Sequence, residues 1–243
     1  MLPEDFPHLM NAAGFGGWVC PPAWETTLDA FITNPLTLQA RSPAHPPRSA
    51  RDEGLLLLHT GHPNPGLPAA LQRYASVWMR SSVPVWVHLL ADEHLPEVLD
   101  RLEEAGCAAG VEIRLPPGCD AQTARHITRT AWRGTPLMVQ IPLTQARELA
   151  DSVCSEAEAI ISLGAPRGTL RASDASMLHG RVYAPALYPL VLETTLALAQ
   201  AGIPVVACGA HTPAQVDALL QAGALGVQLD IPLWSDLTFP AGW

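Results

Sequence analysis

The segment IPVVACGAHTPAQVDALLQAGALGVQL, residues 203–229, decides the fold. A short apolar run from Ile203 to Ala207 leads into a helix that opens at Thr212-Pro213 and stops at Gly223; a second apolar run, Leu225 to Leu229, follows. Threonine suits the N-cap, where its oxygen can accept from an otherwise orphaned N–H, proline at the first helical position gives up no hydrogen bond, and glycine ends the helix. Strands this apolar need cover on both faces. Strand, helix and strand in succession therefore predict a parallel sheet wrapped in helices.

The unit recurs along the chain. Strand candidates are Leu9 to Ala13, Ala30 to Leu38, Gly54 to His59, Pro84 to Leu89, Gly110 to Leu115, Pro136 to Ile141, Ala159 to Leu163, Ile203 to Ala207 and Leu225 to Leu229. Helical segments are EHLPEVLDRLEEAG (93–106), DAQTARHITRTAWRG (120–134), TQARELADSVCSEA (144–157), YPLVLETTLALAQAG (188–202) and TPAQVDALLQAG (212–223). A closed barrel needs eight strands, so one candidate near residues 30 to 60 is a hairpin or an irregular segment. The fold class expected is α/β, a single (β/α)8 TIM-barrel domain over residues 1–243. No glycine-rich dinucleotide fingerprint follows the first strand. After the last strand comes IPLWSDLTFPAGW (231–243), too short and proline-broken for a full helix. The final helix is thus expected to be shortened or missing, its apolar surface covered by Trp234, Leu237, Phe239 and Trp243 or by a partner.

Composition narrows the function. A formal charge of −9 and a pI near 5.4 oppose nucleic acid or an anionic membrane and favour a small-molecule or protein partner. No apolar run reaches membrane-spanning length and the first ten residues lack a leader pattern, so a soluble, cytoplasmic protein is expected. Cys20, Cys107, Cys119, Cys154 and Cys208 are scattered without a CxxC pair, which indicates neither a disulfide framework nor a zinc knuckle. All 14 Lys-plus-Arg residues are arginine. Schiff-base chemistry and a lysine phosphate clamp are therefore excluded within this chain.

Functional groups of an α/β barrel come from the C-terminal ends of its strands. Here those ends carry His59, His62, His88, Glu112, Arg114, Gln140, His211 and Asp230. Glu112 and Arg114 stand two apart on one strand and face the same side. They read either as a buried ion pair closing the core or as an anion-binding arginine oriented by Glu112. His59-x-x-His62 with His88 and Asp230 has the donor types of a zinc site, but the HxxH lies in a loop and lacks helical spacing, so no metal is expected. Histidine acid/base chemistry at the same mouth is a further reading. His211, just before a helix start, is a candidate for lining an anion pocket there. Arg167 and Arg171 read as a solvated basic loop, and His179 and Arg181 as ambiguous loop residues.

Several segments in order resemble the flavin-dependent dihydroorotate dehydrogenase family. MNAAGFGG (10–17) is similar to its first strand and flavin-contacting loop, which would place Ala12, Ala13 and Gly14 at the cofactor. ITNPLTLQARSPAHPPR (32–48), GHPNPG (61–66), PVWVHLLADEHLPEVLDRLEEAGCAAGVEI (84–113), GRVYAPALYPLVLETTLAL (180–198) and residues 203–229 resemble its later elements. The resemblance implies an oxidoreductase and flavoprotein of pyrimidine biosynthesis, with flavin mononucleotide (FMN) taking a hydride from dihydroorotate while a Cys or Ser base takes a proton. It assigns Cys119 as base, Gln140 and Asn34 as flavin donors, Gly209 and Ala210 to the phosphate, and Asn64, Arg114 and His59 to substrate.

Departures from the pattern are informative. The family's two lysines fall at Asn34 and Gln140, the strand-four asparagine falls at Arg114, and LPPGCD (115–120) displaces Cys119. Asp230 would stand beside the phosphate, where like charges ~4 Å apart repel by about 4 kcal/mol. Asp230 therefore reads as excluding phosphate or pairing with an arginine. The expectation is a barrel of this type without normal FMN redox chemistry, acting as a ligand-binding or partner subunit and forming an oligomer. The alternative is an active flavin enzyme.

Overall fold

The computed structural model describes residues 6–235. Twelve strands are present among them: β1 (Leu9–Asn11), β2 (Phe31–Ile32), β3 (Ser49–Asp52), β4 (Leu55–Leu58), β5 (Val85–Leu90), β6 (Gly110–Arg114), β7 (Leu137–Pro142), β8 (Ala159–Gly164), β9 (Arg167–Arg171), β10 (Met177–Tyr183), β11 (Val205–Cys208) and β12 (Gly226–Leu229). Eight form a parallel sheet in the order β1-β12-β11-β8-β7-β6-β5-β2. A parallel bridge between Met10 and Ala30 brings β1 to the edge of β2, so the sheet is nearly closed and barrel-like. Helices α1 (Leu67–Trp78), α2 (Leu95–Ala105), α3 (Ala121–Ala131), α4 (Ala146–Cys154), α5 (Tyr188–Gln200) and α6 (Pro213–Gln221) follow the strands, and a short α7 (Pro232–Ser235) ends the described residues.

Alternation along the strands separates two cores. Val85, Val87, Leu89, Ile113, Leu137, Val139, Ile161 and Val205 share one large cluster with helix residues such as Leu99, Leu149 and Leu219. The residues between them face the other way. Trp86, Met138, Ile160 and Val206 join Met10, Ile32 and Phe6 in a second cluster that fills the base of the barrel. Gly110 makes room for this plug, since a Cβ there would come within 2.6 Å of the Trp86 ring. One step further along each strand, the same interior side carries His88, Glu112, Gln140, Ser162, Cys208 and Gln228. The interior thus changes from apolar at the strand starts to polar at the strand ends.

The remaining four strands make an antiparallel sheet, β3-β4-β10-β9, formed by the segment after β2 and the segment after β8. Both segments leave C-terminal strand ends, so this sheet belongs to the mouth. Gly54–His59 is therefore a strand of this second sheet, not of the barrel, as the count of nine candidates required. The expected strand over Ala30 to Leu38 is cut to Phe31–Ile32: Asn34 donates its backbone N–H to Gly17 O (2.7 Å), and Pro35 has none to donate. Four elements were not expected, namely β3, α1 and the hairpin β9–β10. The named cover residues Leu237, Phe239 and Trp243 lie outside the described residues. No helix among the described residues is long and apolar enough to cross a membrane.

Gly180 seats the two halves of the second sheet together, because a Cβ there would lie 2.3 Å from the Leu58 carbonyl oxygen. Gly180→Ala should cost about 1–3 kcal/mol in urea unfolding through this backbone clash. An unchanged unfolding midpoint would show that β4 and β10 do not pack this closely.

Candidate functional site

Above the apolar plug, three side chains from well-separated strands lock together. His88 Nδ1 lies 2.5 Å from Glu112 Oε2, and Gln228 Nε2 donates to Glu112 Oε1 at 2.6 Å. The Thr33 hydroxyl accepts from the His88 backbone N–H at 3.1 Å. Burial works to raise the Glu112 carboxyl, but the adjacent His88 imidazole, the hydrogen bonds from His88 and Gln228, and the nearby Ser162 hydroxyl outweigh it and leave the group below its usual range. Burial pushes His88 down despite Glu112, and the Arg114 and Arg181 charges push the same way. The consistent state is an ionised Glu112 holding the Nδ1–H of a neutral His88, which leaves Nε2 as a bare acceptor.

Among the described residues that acceptor is one of four fully buried side-chain polar atoms without a hydrogen-bond partner: His88 Nε2, Gln140 Oε1, Ser162 Oγ and Gln228 Oε1. Each belongs to an interior-facing position of a neighbouring or nearby strand. Leaving such a group unsatisfied costs about 1–3 kcal/mol, so this layer is where the barrel interior is least satisfied by the protein itself.

Two arginines converge above this layer. Arg114 ends β6; Arg181 reaches in from β10, is only 7% exposed, and stands 6.0 Å over the Tyr183 ring. Burial and then the Arg181 charge bring Arg114 down to about 10, with weaker opposition from Tyr183 and Glu112. Among the described residues neither guanidinium lies within ion-pair distance of a carboxylate. Arg181 has only a long bond to Thr60 Oγ1, at 3.4 Å. The expected Glu112–Arg114 ion pair is thus absent: Glu112 is already saturated by His88 and Gln228.

His62 completes the rim. Burial, then Arg181 and Arg114, hold its imidazole far below the usual histidine range and hence neutral. Its backbone sits at φ 54, the left-handed region that costs a non-glycine residue about 1–3 kcal/mol. Asn64 holds it there by donating Nδ2 to the His62 carbonyl (3.1 Å) and to Thr37 Oγ1 (3.1 Å), while its Oδ1 accepts from Gly66 N–H (2.9 Å). His62, Arg181, Thr60, Asn34, Phe15 and Gly14 line a cavity of about 140 Å³ at this rim.

Asp230 lies in a neighbouring recess with Cys208, Tyr183 and His211. Its Oδ1 accepts from Ile231 N–H at 2.6 Å and Cys208 Sγ lies 3.7 Å from Oδ2, so its expected pairing with an arginine is not seen. Burial raises its carboxyl to about 6. His211 gives no anion pocket either. Its N–H donates to Gln215 Oε1 (2.7 Å) while Thr212 Oγ1 accepts from Gln215 N–H (3.3 Å), a reciprocal cap that uses the donors at the start of α6.

Of the other predicted site residues, Asn34 and Gly14 share the rim cavity and Gln140 lies in the buried polar layer. Asn34 Oδ1 is occupied by Gly17 N–H (3.2 Å). Ala12 donates its N–H to Leu229 O (2.7 Å), Ala13 joins the basal plug, and Gly209 and Ala210 follow β11. Cys119 sits in the loop before α3, its thiol raised by burial, and His59 is exposed just past β4. Arg181, Ser162, Gln228 and Tyr183 were not anticipated. The alternation of Gly226-Val227-Gln228-Leu229-Asp230 put Gln228 on the Asp230 side, but Arg181 carried no local signal. Among the described residues no group of three or more His, Cys, Asp or Glu side chains is placed to hold a metal ion.

No protein-family model and no curated protein sequence matches the chain. Among solved structures it is similar to a glycerol uptake operon antiterminator regulatory protein from Listeria monocytogenes str. 4b F2365, at 13% identity and a TM-score of 0.51, over 94% of each chain. At this identity the likeness concerns the fold. It overturns the dihydroorotate dehydrogenase resemblance, and with it the oxidoreductase, flavoprotein, FMN and pyrimidine-biosynthesis expectations and the degenerate-subunit function built on them. Those readings rested on the order of strands and helices, which barrel-like α/β chains share whatever their chemistry. The exclusion of a nucleic-acid partner falls too, because a net charge does not settle partners on a fold that an antiterminator regulatory protein uses.

The raised Asp230 carboxyl has a measurable consequence. Burial favours its protonated form, so its contribution to stability is full below the unfolded value near 3.9 and is lost as the pH rises through about 6. Asp230→Asn, which keeps the acceptor for Ile231 N–H, should gain about 2–2.5 kcal/mol on the wild type between pH 4 and pH 8 in urea unfolding. A difference that does not change with pH would contradict the buried, uncompensated carboxyl.

Proposed function

We propose that the barrel mouth binds a small organic anion, carrying a phosphate or carboxylate, and that the chain is a ligand-responsive regulatory protein. One observation carries the binding half: Arg114 and Arg181 converge, mostly desolvated and without a carboxylate partner among the described residues, in a chain whose net charge is −9. Acidic groups are plentiful, yet among the described residues none forms an ion pair with either guanidinium. Arginine's planar fork matches phosphate and carboxylate geometry, and a desolvated site strengthens such bonds. The regulatory half is supported by the fold neighbour's name and by the mouth's cover, since an anion that grips Arg181 grips β10 and hence the second sheet. On this reading the whole chain is one (β/α)8 unit, and its five free cysteines suit a reducing, cytoplasmic setting.

The site makes opposite demands on stability and binding. Arg181→Gln removes an unpaired buried charge, so without ligand the variant should unfold at a higher temperature than the wild type. Inorganic phosphate or citrate should stabilise the wild type, by about 2.7 kcal/mol at a hundredfold excess over Kd. The variant should not respond. A wild type indifferent to both anions, with a variant less stable than it, would contradict the proposal.

A further inference from the structure

Resting on that anion site, we infer that the ligand also carries a donor-rich body, a chain of hydroxyl groups, which is read by the buried layer beneath the arginines. The four unpartnered atoms of this layer are His88 Nε2, Gln140 Oε1, Ser162 Oγ and Gln228 Oε1. Three can only accept in the state the surrounding bonds impose. The neutral His88 donates its Nδ1–H to Glu112, Gln228 has turned its Nε2 to Glu112, and the amide oxygens of Gln140 and Gln228 are acceptors by nature. Ser162 Oγ can do either. An acceptor-rich wall calls for a ligand that donates.

An apolar body does not fit, because it would leave every one of these atoms unsatisfied after binding. A cationic body is disfavoured by charge. Glu112 is already held between His88 and Gln228, and Arg114, Arg181 and Arg41 all act on the neighbouring His62. A neutral hydroxyl chain attached to an anion meets both demands, with its charge at the arginines and its O–H groups pointing down the barrel. The apolar plug of Trp86, Met138 and Ile160 then closes the floor and limits the length.

Matched pairs test this: glycerate against propionate, and a tetritol phosphate against butyl phosphate, titrated by calorimetry into the full chain. The wild type should bind each hydroxylated anion at least about tenfold more tightly than its deoxy partner. Ser162→Ala and Gln140→Leu, each checked for folding by circular dichroism, should shrink that ratio. Equal affinity within both pairs would overturn the donor-rich ligand and leave the anion site standing. Tighter binding of a matched amino compound such as β-alanine than of glycerate would overturn it in favour of a cationic body. Binding of none of the compounds would remove the anion site and this inference with it.

Discussion

Desolvated positive charge without a counter-charge is the constraint on which the site depends. A guanidinium withdrawn from water keeps its place only if the surroundings restore what hydration supplied. At this mouth, among the described residues, Arg181 donates one long bond to Thr60 and stands over the face of Tyr183, and Arg114 receives the distant field of Glu112. His62 responds by staying neutral, and its backbone is held strained by Asn64. The arrangement is stable as a protein and incomplete as an electrostatic object.

The scaffold explains how such a site is tolerated. In β5, β7 and β8 an apolar interior residue precedes a polar one: Trp86 before His88, Met138 before Gln140, Ile160 before Ser162. The lower half, with the outer cluster between sheet and helices, supplies the hydrophobic burial that holds the fold. Polar strand ends are then free to serve a ligand, and the second sheet brings Arg181 over them from a part of the chain far from β6. Strain and unsatisfied groups are concentrated at the mouth, as is usual where a fold has been arranged for binding.

Much of the architecture was legible in sequence because period and caps are local. Thr212-Pro213 with Gly223 marked the bounds of α6 within two residues, and Gly106, at φ 55, ends α2 as expected of a left-handed stop. The same locality set the limits. The two-residue spacing of Glu112 and Arg114 correctly placed both on one face, but their partners come from positions no local pattern reveals: His88 is 24 residues away and Gln228 116. Arg181 looked like loop because β9 and β10 are rich in glycine, arginine and alternating exposed residues, as a two-stranded cover facing solvent on one side must be. Counting the lysines absent from positions marked by the dihydroorotate dehydrogenase resemblance missed an arginine delivered by the hairpin β9–β10.

The most direct measurement is a crystal structure of the protein soaked in tungstate, an oxyanion located by its anomalous signal. The account predicts a peak between the Arg114 and Arg181 guanidinium groups, above Glu112 and within reach of His62. A mouth in which each arginine has turned to a carboxylate of its own chain, with tungstate bound only elsewhere, would contradict it.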